Sequence, residues 1–94
     1  MEDDMRDIYL EVTFRKGKAI AAYLYLPRDP EEKSQRTEKV GEGILVDYGK
    51  GDRPIGIEIT APRRVSLEAV NHILAKLEIR LVQEEELAPL AAAY

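Results

Sequence analysis

From residue 8 the chain alternates apolar and polar positions. Ile8, Leu10, Val12 and Phe14 fall on one side, and Tyr9, Glu11 and Thr13 on the other. A two-residue period rich in β-branched and aromatic residues predicts a strand. Arg15-Lys16-Gly17-Lys18 comes next, and Gly17 can supply the positive φ of a tight hairpin. The return strand, Ala19 to Leu26, is apolar on both sides: Ile20, Ala22, Leu24 and Leu26 on one, Ala19, Ala21, Tyr23 and Tyr25 on the other. A strand of that kind is expected to be covered on both faces. Pro27 ends it, because proline has no amide to give to a ladder.

Arg28 to Arg36 reads as a mobile polar loop, and Thr37 to Val40 as a short edge strand punctuated by Gly41-Glu42-Gly43. Ile44 to Tyr48 and Pro54 to Thr60 form a second hairpin. A two-residue Lys50-Gly51 turn would set Val46 opposite Ile55 and Ile44 opposite Ile57, with Tyr48 and Ile59 on the same face. In that register Gly56 lies opposite Leu45, where a missing side chain leaves room for a neighbour. After Val65 the period changes: Leu67, Val70, Ile73, Leu74 and Leu77 recur at helical spacing, which predicts a helix from Leu67 to about Leu77. Ser66 suits its N-cap and Glu68 the positive end of its dipole. Glu78 to Val82 reads as a further strand or continued helix, and residues 83–94 as a short acidic helix broken by Pro89. The pattern as a whole predicts an α+β fold: an antiparallel sheet of four or five strands, built from two hairpins, with one main helix near the C-terminus.

Composition narrows the class. The 94 residues are one small domain's worth of chain: a flexible acidic N-terminus over 1–7, the sheet and helix over 8–77, and a C-terminal extension over 78–94. There is no cysteine, which removes disulfides, thiolate metal sites and thiol nucleophiles together. The start, Met1-Glu2-Asp3-Asp4-Met5-Arg6-Asp7, is acidic and polar, unlike a signal peptide. The longest apolar run, Ala19 to Leu26, is far short of the roughly 20 residues of a membrane helix. These features point to a soluble cytoplasmic protein with no membrane association. The net charge of -4 lowers the expectation of nucleic-acid binding, which rests on clustered Lys and Arg.

Four segments carry a resemblance: Ala22-Tyr23-Leu24-Tyr25-Leu26, Arg36-Thr37-Glu38, Gly43-Ile44-Leu45-Val46-Asp47-Tyr48 and Gly56-Ile57-Glu58-Ile59. Together they resemble a family of small bacterial proteins known only as a domain of unknown function (number 2283). The helix Ser66-Leu67-Glu68-Ala69-Val70-Asn71 is similar to the segment that longer members carry after the sheet, so the likeness runs over roughly residues 8 to 77. The resemblance implies a small, mostly antiparallel sheet with a helix, and it implies no chemistry. In size and acidity such proteins are similar to the small neutralising partners of toxin systems, which adds a basic protein to the partners considered. The turn at Gly49, Lys50 and Gly51 lacks the acidic residues that family members often place there, so it implies no ion site.

The remaining constellations point away from catalysis. Asp47 to Glu58 has the length of a calcium loop, but its middle positions are Gly49, Gly51 and Asp52 where oxygen ligands and a glycine belong. Asp47 and Glu58 share a sheet face and are the candidates for a polar site. Acid–base work would need one of them buried with a shifted pKa. His72 is the only histidine, set off the apolar stripe of the helix, and Ser34 and Ser66 are the only serines, so no triad is expected. Arg15, Lys16 and Lys18 crowd one hairpin tip, and Arg53, Arg63 and Arg64 another spot. Both read as solubility and edge protection. Tyr9, Tyr23, Tyr25 and Tyr48 all lie in strands and suit a half-buried surface.

The expected function is a non-catalytic protein-interaction module that self-associates as a homodimer, with no cofactor or metal. Ile20, Leu24, Leu26, Tyr23 and Tyr25 are the expected interface, because a bare apolar sheet face is rare on a monomer. The C-terminal extension is the other candidate cover. The alternative class is a small-ligand-binding or enzymatic domain that uses the tyrosine-lined sheet with Asp47 and Glu58.

Overall fold

Both residues of the first turn take positive φ, Lys16 at 54° and Gly17 at 78°. That is the type I′ geometry whose twist matches antiparallel strands. It joins β1 (Tyr9–Arg15) to β2 (Lys18–Tyr25) in the computed structural model of the chain. The structure describes residues 8–28 and 31–79, together with residue 85. The acidic N-terminus and the helix expected over 83–94 therefore lie outside the described residues, as does the choice of strand or helix for residues 80–82. Further on come β3 (Arg36–Gly41), β4 (Ile44–Tyr48) and β5 (Pro54–Ile59), then α1 (Leu67–Lys76). All five strands form one antiparallel sheet in the order β1-β2-β5-β4-β3. The described residues thus form an α+β fold with one α-helix, late in the sequence.

The β4–β5 register departs from the two-residue turn expected at Lys50-Gly51. The observed pairs are Ile44↔Ile59, Val46↔Ile57 and Asp47↔Gly56. The connection is longer: Gly49 N–H donates to Arg53 O at 2.7 Å around a short 3-10 turn at Lys50–Asp52. Gly51 and Asp52 both sit at positive φ, and Ile55 is an extra residue bulged out of β5. The slip is two residues, so every side chain keeps its face, but Gly56 moves from Leu45 to Asp47. The loop before β3, expected to be mobile, is tethered to this turn. Arg53 pairs with Glu32, Arg28 donates to Glu32 O, and Gln35 N–H donates to Tyr48 O at 2.8 Å.

One face of the sheet carries the core. Ile8, Ala22, Leu24, Leu26, Ile44, Val46, Ile57 and Ile59 are buried with Val70, Ile73 and Leu74 of α1. Burial of each Leu or Ile side chain contributes on the order of 2 kcal/mol. Ser66 caps α1 by accepting from Ala69 N–H at 3.0 Å. Glu78 (φ 60°) ends it in left-handed geometry, with Ile79 N–H reaching back to Leu74 O at 2.9 Å. Among the described residues no helix is long and apolar enough to cross a membrane.

Candidate functional site

The other face of the sheet holds the polar groups, in two rows that cross all five strands. One row runs Tyr9, Tyr25, Gly56, Asp47, Thr37, and the next runs Glu11, Tyr23, Glu58, Leu45, Lys39. Gly56 is a gap in the first row, and the ring of Tyr23 leans into it from the second. Its hydroxyl donates to Asp47 Oδ2 at 2.8 Å, and Thr37 Oγ1 donates to Asp47 Oδ1 at 2.6 Å. Asp47 is 5 % exposed, the one charged residue that is buried among the described residues. Two hydroxyl donors offset the cost of taking its carboxylate out of water.

The tyrosines form a wall beside it. Tyr9 stacks on Tyr25 with centroids 4.5 Å apart, and Tyr23 meets Tyr25 edge-on at 4.7 Å. Tyr25 donates to Glu11 Oε1 at 3.0 Å, and the Arg28 guanidinium lies 5.7 Å from the Tyr25 ring centre. Burial, and after it the bond to Asp47, pushes the Tyr23 hydroxyl well above the usual tyrosine range. Burial and then Glu11 raise Tyr25 in the same direction. Glu58 lies diagonally across from Asp47 on the neighbouring strand. Burial first, and then the neighbouring Asp47 carboxylate, raises Glu58 above its ordinary 4.5. The arrangement favours the neutral forms of Tyr23 and Tyr25 and a Glu58 carboxyl that keeps its proton longer than usual. Each Asp47 oxygen thus accepts one hydroxyl hydrogen, from Tyr23 and from Thr37.

Several expected site residues are placed differently. Leu24 and Leu26 are fully buried beneath the sheet, at 0 % exposure. They offer no surface to a partner, because beyond the bulge Ala22, Leu24 and Leu26 all face the core. Ile20, the extra residue of a bulge in β2, is exposed, while Tyr23 and Tyr25 are half-buried on the outer face. The four strand tyrosines do not share a face. Tyr48 packs against the core cluster under the Arg36 guanidinium, 4.1 Å from its ring centre. That arginine also reaches Asp52 at 3.3 Å and Glu38 at 3.6 Å.

His72 is exposed on α1. Among the described residues no group of three or more acids and histidines is placed to hold a metal. Thr37, Glu11 and Arg28 were not singled out in the sequence. Their place in the network depends on strand order, which local patterning does not reveal.

Residues 21–61 match the model of a family described as protein of unknown function, DUF2283. No curated protein and no solved structure matches the chain. The match is shorter than the resemblance read over roughly residues 8 to 77: it runs from within β2 to just beyond β5 and leaves out β1 and α1. It contains Tyr23, Thr37, Asp47, Gly56 and Glu58, so the Asp47 network lies within the matching segment. Over residues 21–61 the chain is thus similar to the family described as protein of unknown function, DUF2283.

Proposed function

We propose that the protein is a small cytoplasmic, non-catalytic interaction module that docks an extended strand along β1. The observation that carries this reading is the contrast between the two edges of the sheet. The β3 edge carries Arg36, Glu38 and Lys39 and is bulged at Val40, the devices that discourage strand pairing. The β1 edge, Tyr9–Arg15, is longer, mostly apolar, aromatic or β-branched, and free of any extra residue of its own. Its outward groups are set by the alternation of an antiparallel ladder. Leu26 N–H donates to Ile55 O on the β5 side, so even-numbered β2 residues bond β5 and odd-numbered ones bond β1. Tyr25, Tyr23 and Ala21 face Tyr9, Glu11 and Thr13, which leaves the main-chain groups of Leu10, Val12 and Phe14 pointing away from the sheet. Such a row recognises a partner strand through its backbone.

The test is a titration of isotope-labelled protein with a peptide of residues 8–15, read by amide chemical shifts. Strand docking predicts shifts at Leu10, Val12 and Phe14 with β3 unmoved. Shifts confined to the outer face, or none, would overturn it.

A further inference from the structure

We infer that the strand received at β1 is β1 of a second copy, paired antiparallel about a two-fold axis through Val12. This rests on the strand-docking reading and names the occupant.

Register is the first support. With Val12 on the axis the whole of β1 overlaps its mate: Leu10 lies opposite the second copy's Phe14, and Tyr9 opposite its Arg15. Phe14 is 48 % exposed, and this pairing sets Leu10 against it. Tyr9 gains a guanidinium partner. Glu11 meets Thr13, with Arg15 diagonally beyond, within reach of a carboxylate. Centring the axis on Glu11 instead sets like charges directly opposite, which is unfavourable. Centring it on Thr13 shortens the overlap and drives Leu10 against Lys16 in the turn. The outward groups of Leu10, Val12 and Phe14 then satisfy one another across the axis.

Closure is the second support. A two-fold contact uses the same edge on both copies and cannot propagate. Joining two β1 edges leaves β3 at both ends of the continuous sheet, each charged and bulged. Assembly therefore stops at two chains.

The chain contains no cysteine, so introduced thiols report without background. The parent protein should show twice its 10.7 kDa mass by light scattering at micromolar concentration. Val12→Pro removes an amide that points away from β2, and proline is tolerated on an edge strand. That variant should keep the parent's circular dichroism and fall to the mass of one chain. A mixture of Glu11→Cys and Thr13→Cys chains should form the mixed disulfide, because opposite residues of that pair come within bonding range. Either variant alone should cross-link at most a tenth as much.

A monomer whose β1 amides still shift with the 8–15 peptide would overturn the second copy and leave strand docking standing. A dimer in which Glu11→Cys or Thr13→Cys cross-links best with itself would overturn the register. A dimer that Val12→Pro leaves intact, and in which no β1 thiols cross-link, would overturn both the occupant and the docking strand.

Discussion

Replacing Gly56 by alanine sets a Cβ inside the space of the Tyr23 ring, overlapping Oη and Cζ and 2.5 Å from Cε2. The ring must swing away, and the Tyr23–Asp47 hydrogen bond breaks with it. A bond to an ionised acceptor is worth about 1.5–3 kcal/mol, and the edge-on contact with Tyr25 about 0.5–1.5 kcal/mol more. Against these stands the gain of roughly 0.5–1 kcal/mol expected when alanine replaces glycine inside a strand. The net loss is about 1–4 kcal/mol, or a fall in melting temperature on the order of 5–30 °C for a domain this small. The assay is a double-mutant cycle by urea unfolding. In a Tyr23→Ala background the ring is gone, so Gly56→Ala should become neutral or stabilising by up to about 1 kcal/mol. Equal effects of Gly56→Ala in both backgrounds would refute the claim that Tyr23 fills the glycine gap.

The carboxyl pair gives a pH signature. Glu58 binds its proton more tightly in the fold than in the unfolded chain. Its contribution is therefore complete below about pH 4.5 and is lost as pH rises through the raised folded value. Glu58→Gln should gain on the parent in urea midpoint as pH climbs through that window, and parallel curves would contradict the assignment. Leu24→Ala, at a fully buried position, should cost about 3 kcal/mol by denaturant unfolding. A loss under 1 kcal/mol would show that the site is not core. Glu78→Gly relieves a left-handed residue at the end of α1 and should add about 0.5–1 kcal/mol, measured as a rise in thermal midpoint.

Local pattern revealed the elements better than their assembly. The strands and the Ser66 cap are legible in alternation, helical spacing and a hydroxyl ahead of Leu67, all of which act over a few residues. The β4–β5 register was not, because it depends on the Ile55 bulge and on Asp52 taking a positive φ that its residue type merely tolerates. The faces survived because the slip is even. Gly56 was readable as a gap, but Tyr23 as its occupant required β2 to pair with β5, strands far apart in the chain. The same long-range pairing brings Thr37 and Glu11 to the two ends of the polar rows. Reading β2 as apolar on both sides counted Tyr23 and Tyr25 as hydrophobic. Their hydroxyls reach Asp47 and Glu11, so the outer face is partly closed by its own side chains. Among the described residues no strand pairs with the outer edge of β1, and alternation along one strand cannot identify that edge.

The central claim is that β1 is an edge built to be paired, and amide hydrogen exchange tests it most directly. At concentrations where the mass is doubled, the amides of Leu10, Val12 and Phe14 should exchange slowly, as should those of Glu11 and Thr13, which face β2, and only the first three should become fast on dilution. Fast exchange at Leu10, Val12 and Phe14 at every concentration, or slow exchange there in a chain shown to be monomeric, would contradict the account.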